Sequence, residues 1–164
     1  MEHEAPAIFV ALEASGFALA IRQSKWLYPL ANVGHIVALV FFAGAVTVMD
    51  VRLLGGFAAT APGRLLARAR NFAIMAFAGM AVTGAMLFAA EASHLAVNPV
   101  FQIKFVLIGI GLANIAIYEF GIKRTVAGLP PDASMPVSAK IAGALSLGIW
   151  VVVAACGRSI AYAG

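Results

Sequence analysis

Residues 27–49 read LYPLANVGHIVALVFFAGAVTVM, a run that contains no Asp, Glu, Lys or Arg. A helix that spans a membrane needs about 20 mainly apolar residues, and this run is long enough. Three later runs are also long and mainly apolar, and none of the runs shows the alternation of a membrane β-strand. The sequence therefore predicts an all-α integral membrane protein, a four-helix antiparallel bundle with spans at about 27–49, 72–90, 103–122 and 139–156.

The composition excludes the main soluble classes. Hydrophobic residues make up 63% of the 164 residues and charged residues 11%, whereas a soluble domain carries roughly 25% charged residues. The net charge of +4 does not indicate a nucleic-acid partner, because the basic residues lie between apolar runs rather than on one polar face. Cys156 is the only cysteine, which excludes a disulfide-stapled fold. We therefore expect the lipid bilayer as the environment of this chain.

Residues 5–23 precede the first span and are mostly apolar, with Glu13 near the middle. An acidic residue at the centre of a span costs about 2.5–3.5 kcal/mol on insertion scales, which is a large penalty for so short a segment. We therefore predict an N-terminal interfacial helix over residues 5–23, with a fifth span as the alternative. The chain contains no low-complexity tract or internal repeat, so a single transmembrane domain, residues 1–164, accounts for it.

The basic residues are divided unequally between the two ends of the predicted bundle. One end carries seven of them, namely Arg52, Arg64, Arg68, Arg70, Lys123, Arg124 and Lys140. The other end carries four, namely Arg22, Lys25, Lys104 and Arg158. Short loops with more Lys and Arg stay in the cytoplasm. The end with seven basic residues is therefore predicted to be cytoplasmic, and the N- and C-termini are predicted to be periplasmic.

Three stretches carry a family resemblance over nearly the whole chain. Residues 24–30 read SKWLYPL and lead to His35, residues 50–55 read DVRLLG, and residues 98–104 read NPVFQIK. Together they resemble a bacterial four-span inner-membrane family known only as a domain of unknown function. The chain is more distantly similar to the copper-resistance protein D superfamily and to four-helix b-type cytochromes. The resemblance implies a bacterial inner membrane, and the distant similarity suggests haem b or copper as the cofactor. The chain departs from the family pattern at Ala38, where Gly is expected, and at Glu119, where a candidate ligand His is common.

His35 is the main ionisable residue inside the first span. Tyr28, Asn32 and His35 are spaced four and three residues apart, so they share one helix face. Ionisable residues inside a membrane are costly to bury and are functional candidates by default. His35 is therefore a candidate ligand of haem b, with His94 as the second imidazole, or a ligand of copper. The alternative is a neutral histidine that is hydrogen-bonded to another helix and fixes the packing.

Other candidates share the predicted outer end with His35. Glu91 and His94 have the i, i+3 spacing of metal sites in helical bundles, although a helix end that faces water has the same pattern. With Cys156 at a similar depth, a soft copper site is a second hypothesis. A free amine followed by His3 at the third position is able to bind Cu(II), so His3 is a further metal candidate. We expect the functional site in the outer set of His35, Glu91, His94 and Lys104.

Asp50 and Arg52 lie at the other end of the first span, followed by Arg64, Arg68 and Arg70. The simplest interpretation is an interfacial charge cluster that sets the topology and attracts anionic lipid head groups.

Asn114 belongs to a row of residues along the third span that are spaced three and four apart. Small residues in such rows let helices approach closely, and Asn can form hydrogen bonds across them. Bundle packing is the main interpretation of this row, and a polar transport path along Asn114 is the alternative.

Three functions follow from these patterns. The first is a small b-type haem or copper redox protein of the membrane. The second is a non-catalytic subunit that packs against a larger complex or against itself, and the third is a small transporter. The chain contains no nucleophile–base signature, no HExxH, no CxxC and no P-loop, so no enzyme activity is assigned.

Overall fold

The computed structural model describes residues 5–160, and all regular structure within them is helical. The helices are α1 (Ala7–Glu13), α2 (Gly16–Gln23), α3 (Leu27–Leu54), α4 (Pro62–Ala90), α5 (Ala92–Val97), α6 (Pro99–Ile117), α7 (Lys123–Ala127) and α8 (Val137–Ser159). A π-helical turn, Tyr118–Ile122, joins α6 to α7. The predicted all-α fold is confirmed.

Four stretches are long and apolar enough to cross a membrane: Leu27–Leu54, Pro62–Ala90, Pro99–Ala127 and Val137–Ser159. Each contains one predicted span and extends beyond it, because a helix continues through interfacial charged residues after the apolar run ends. Helix α4 begins at Pro62, since proline lacks the N–H that the first turn leaves unpaired and has a φ suited to a helix start. Arg64, Arg68 and Arg70 therefore lie on a helix rather than in a loop.

Helix α3 is the central element of the bundle. It packs against both α4 and α8, and α6 packs against α8, whereas α4 and α6 have little contact with each other. A buried cluster in the middle of the bundle joins α3, α4 and α8 through Phe42, Val46, Ala73, Trp150 and Val153. The rings of Phe42 and Trp150 meet edge to face, with centroids 4.7 Å apart, a favoured aromatic geometry.

The bundle has a basic end and a histidine end. The basic end is where α3 ends and α4 begins, and it contains a second buried cluster of Leu53, Leu66, Tyr118, Val126, Met135 and Ala139. The histidine end is opposite and contains α1, α2 and α5. Between the ends, large side chains such as Phe41, Phe72 and Phe105 are exposed, as a helix surface in contact with lipid requires.

The N-terminal segment forms two short helices rather than the one helix predicted over residues 5–23. Helices α1 and α2 have seven and eight residues, so neither is long enough to span a bilayer. The chain breaks between them because the Ser15 side chain accepts a hydrogen bond from the Ala18 backbone N–H at 3.2 Å, which starts a new helix. Both helices pack at the histidine end, α1 on α5 and α2 on α4.

Arg52 fixes the connection between α3 and α4. Its side chain is fully buried, and its guanidinium donates to the carbonyl of Gly56 at 3.4 Å and to that of Thr60 at 3.1 Å. The Asp132 backbone N–H, in the connection before α8, donates to the Ala58 carbonyl at 2.8 Å. The two connections at the basic end are therefore tied to each other.

Of the glycines in α8, Gly143 makes the tightest approach to α3. A Cβ at this position would lie 3.0 Å from Leu53 Cβ and 3.1 Å from the Asp50 carbonyl oxygen. The absence of a side chain at Gly143 therefore sets the separation of the two helices.

We predict that Gly143→Ala lowers the stability of the bundle by about 1–3 kcal/mol, because the added methyl group overpacks this contact. Gly148→Ala is the matched control, since a Cβ at Gly148 would have no neighbour within 4 Å. Thermal unfolding in detergent, followed by circular dichroism, should give a lower midpoint for Gly143→Ala alone. Equal midpoints for the two variants would show that the contact is not tight.

Candidate functional site

The structure places His35 against α4. Its Nδ1 lies 3.0 Å from the Thr83 hydroxyl, and the Met80 carbonyl is a further hydrogen-bond partner. Gly84 leaves room for the ring, since a Cβ there would lie 3.1 Å from His35 Cε1. The half-buried imidazole therefore has the interhelical hydrogen bonds that the packing interpretation requires.

The other outer candidates are distributed over separate contacts. The Tyr28 hydroxyl donates to the Glu91 carboxylate at 2.7 Å, which links the start of α3 to the end of α4. His94 is exposed on α5. Lys104 lies near Cys156, at the contact between α6 and α8. Lys104 also lies close enough to His35 to interact with it electrostatically, whereas Glu91 is bound by Tyr28 and His94 is exposed.

The remaining outer candidates are Asn32 and His3. Asn32 is exposed on α3, and His3 lies outside the described residues. Within residues 5–160, no three His, Cys, Asp or Glu side chains come together in a group that could hold a metal ion. The described residues therefore do not form a metal site with three or more such ligands.

Glu13 docks the two N-terminal helices onto the bundle. Its carboxylate accepts from the Ser93 hydroxyl, from the Ser93 backbone N–H at 2.8 Å and from Arg22 at 2.9 Å. Arg22 also donates to the Ala90 carbonyl at 3.3 Å. The side-chain and backbone bonds from Ser93, with a smaller contribution from Arg22, hold the pKa of Glu13 below its usual value. Glu13, whose charge disfavours a membrane span over residues 5–23, therefore anchors the N-terminal helices at the end of the bundle.

A cavity of about 300 Å³ lies between the four long helices in the half nearer the basic end. Most of its lining is apolar. The polar residues that line it come from all four helices and the π-helical turn: Asp50, Arg70, Asn114, Tyr118, Glu119 and Ser146. A mainly apolar pocket with a few convergent polar groups is the usual form of a small-molecule site.

Asp50 is the most deeply buried acidic group in this cavity. Its residue is 3% exposed, and the Ser146 hydroxyl donates a hydrogen bond to its carboxylate. The oxygen Oδ2 has no hydrogen-bond partner, and within residues 5–160 no Lys or Arg forms an ion pair with Asp50. The cavity therefore contains one carboxylate oxygen that is free to accept.

Glu119 is held by two cations, unlike Asp50. Arg70 of α4 and Lys123 of α7 both donate to Glu119 Oε1. The π-helical turn Tyr118–Ile122 carries Glu119, and π turns inside helices occur frequently at functional sites. The Arg70–Glu119 pair links α4 to the end of α6, where the two helices have little other contact. This arrangement closes the cavity at the basic end.

Asn114 both forms an interhelical hydrogen bond and lines the cavity. Its side-chain amide donates to the Ala142 carbonyl of α8 at 3.0 Å, which is a packing contact. The same residue lines the cavity, as a solute-binding role requires.

The sequence predicts an interfacial charge cluster that contains Asp50 and Arg70, and it does not predict that these residues share a cavity with Glu119 and Ser146. A signal was present, because all four lie within about three turns of the same end of their spans. Depth alone does not determine which helices are neighbours, so the convergence of these residues needed the structure.

The model of one protein family matches residues 26–163, and that family is described as a family of unknown function, DUF6644. The match covers the four long helices. No curated protein and no solved structure matches the chain, so the distant similarity to copper-resistance proteins and b-type cytochromes has no support from these comparisons.

We predict that acid loosens the N-terminal helices. Folding lowers the pKa of Glu13. The stabilisation that its ionised carboxylate gives to the docked helices is therefore complete above the unfolded-state pKa of about 4.3, and it is lost as the pH falls through the lower folded-state pKa. Glu13→Gln should speed amide hydrogen exchange in α1 at neutral pH about fivefold, as expected for a loss on the order of 1 kcal/mol.

The measurement is hydrogen exchange by mass spectrometry, normalised to the intrinsic rate at each pH. Lys25→Gln, an exposed substitution at the same end, is the control and should leave α1 unchanged. Identical protection of wild type and Glu13→Gln at neutral pH would contradict the anchoring role.

Proposed function

The chain belongs to DUF6644, a family of unknown function, and we propose that it is a small membrane transporter whose cavity binds an amphipathic organic cation. One observation carries the proposal: Asp50 lines the cavity, is 3% exposed and has a carboxylate oxygen without a partner.

The charges around the cavity favour a cationic ligand. Glu119 is bound by two cations, Arg70 and Lys123, whose charge exceeds its own by one. Of the two acidic residues that line the cavity, Asp50 is the one that forms no ion pair within the described residues, so a cationic ligand would be attracted at Asp50 itself. A buried charge without a partner is costly in a medium of low dielectric constant. A ligand ammonium group that donates to Asp50 Oδ2 would remove that cost, and the Ser146 hydroxyl holds the carboxylate in position.

The shape of the cavity favours a ligand that comes from the lipid phase. Ile74 of α4 and Ile115 of α6 line the cavity and are also exposed, by 58% and 39%. They mark a lateral opening between the two helices that pack least against each other. The volume of about 300 Å³ accommodates roughly ten water-sized groups. A ligand with a short apolar chain and one ammonium group fits these limits.

The orientation of the cavity in the membrane depends on the basic residues of the bundle. We propose that the basic end faces the cytoplasm of a bacterial cell, because its seven Lys and Arg residues agree with the positive-inside rule. The cavity would then open into the cytoplasmic leaflet.

Two other functions compete with this proposal. A haem or copper centre is supported by the half-buried position of His35 alone, and a reduced-minus-oxidised spectrum of the purified protein tests it. A subunit of a homo-oligomer or a larger complex is supported by the exposed apolar helix faces, which a partner could cover as well as lipid could.

We predict that octylamine binds the protein in nanodiscs above the background of empty nanodiscs, and that Asp50→Asn weakens this binding at least about tenfold. The loss corresponds to a charge-assisted hydrogen bond of about 1.5–3 kcal/mol. Binding of octanol, which has the same chain and no charge, should change little.

Asp132→Asn is the matched control, because it removes an equal charge from an exposed position at the same end. Radiolabelled octylamine and scintillation proximity give the affinities, and circular dichroism verifies that each variant is folded. Octylamine binding that is equal in wild type and Asp50→Asn would refute the proposal.

A further inference from the structure

A second concave surface lies on the outside of the bundle, away from the cavity between the helices. It is an open groove of about 660 Å³ between the outer faces of α3 and α4. Its floor includes Gly44, where a Cβ would meet nothing within 4 Å. Val40 and Phe41 of α3 and Phe72 of α4 form apolar walls that are each 65% exposed. The groove is therefore shaped for an extended apolar chain.

Two arginines lie at the basic end of this groove. Arg64 and Arg68 line it and are four residues apart on α4, so their side chains share one face of the helix. Both are exposed, and within residues 5–160 neither forms an ion pair with an acidic residue. The guanidinium group pairs well with phosphate, which it can bind through two parallel hydrogen bonds.

The apolar groove and the arginine pair lie at different depths along the bundle, and these depths match the acyl chain and the phosphate of a phospholipid. Arg64 and Arg68 are in the first two turns of α4, whereas Val40 is near the middle of α3. From Val40 to Val48, eight residues further along, the helix rises by about 12 Å, which is most of the thickness of one apolar leaflet. We propose that this groove binds an anionic phospholipid, with its phosphate on Arg64 and Arg68 and an acyl chain over Gly44.

The proposal differs from a diffuse attraction of lipid to the basic end. Arg124 and Lys140 are also exposed at this end, but they do not line the groove. A specific site requires Arg64, Arg68 and the open floor at Gly44 together, whereas a surface potential depends only on the total charge.

The test uses native mass spectrometry of the detergent-solubilised protein with dioleoyl phosphatidylglycerol and, separately, dioleoyl phosphatidylcholine. We expect wild type to retain phosphatidylglycerol preferentially. The double variant Arg64→Gln/Arg68→Gln should retain it about tenfold less, from two lost basic contacts at the membrane surface. Gly44→Leu, which fills the groove without changing the charge, should also lose most of it.

The control is Arg124→Gln/Lys140→Gln, which removes the same charge from the same end and should retain the lipid. Inorganic phosphate should not displace the lipid, because it cannot occupy the apolar part of the groove. The proposal is overturned if the control loses as much lipid as Arg64→Gln/Arg68→Gln, if Gly44→Leu retains it in full, or if phosphate alone displaces it.

Discussion

The bundle depends on the close contact between α3 and α8 at Gly143. Helices inside a bilayer gain little hydrophobic free energy by associating, so packing at small residues and hydrogen bonds across helices must hold them together. A side chain at Gly143 would press on Leu53 and on the α3 backbone at Asp50. Ser146 lies nearly one turn further along α8 and donates to the Asp50 carboxylate. The contact that joins the two helices therefore also positions the acidic group of the cavity.

The cavity follows from which helices remain apart. Because α3 packs against both α4 and α8, and α6 packs only against α8 among the long helices, a gap is left between α4 and α6. Glu119, on the π-helical turn, bridges this gap by pairing with Arg70. Lys123 pairs with the same carboxylate, and Asp50 is left without an ionic partner among the described residues. The electrostatic character of the cavity is thus a consequence of helix arrangement as much as of residue type.

Local properties of the sequence predicted the four spans, because a span depends on the length and apolarity of one segment. They could not predict the cavity, because Asp50, Asn114 and Ser146 become neighbours only through the lateral order of the helices. His35 is a candidate ligand from the sequence because it is an isolated ionisable residue inside an apolar run. In the structure it forms hydrogen bonds to α4. Asp50 lies at the end of its run, where a charge is expected, so its burial gave no sequence signal. The break between α1 and α2 depends on one hydrogen bond at Ser15, which hydropathy does not detect.

Five of the seven basic residues that predicted the topology illustrate three different environments. Arg52 is fully buried and donates to backbone carbonyls, while Arg70 and Lys123 share Glu119. Arg64 and Arg68 are exposed beside an apolar groove. An arginine keeps its charge in all these settings, so its neighbours decide what the charge does. Carbonyl dipoles stabilise the charge of Arg52, and one carboxylate is shared by Arg70 and Lys123. Arg124 and Lys140 are exposed away from the groove, so Arg64 and Arg68 are the exposed basic residues of this end whose charge lies beside an apolar groove.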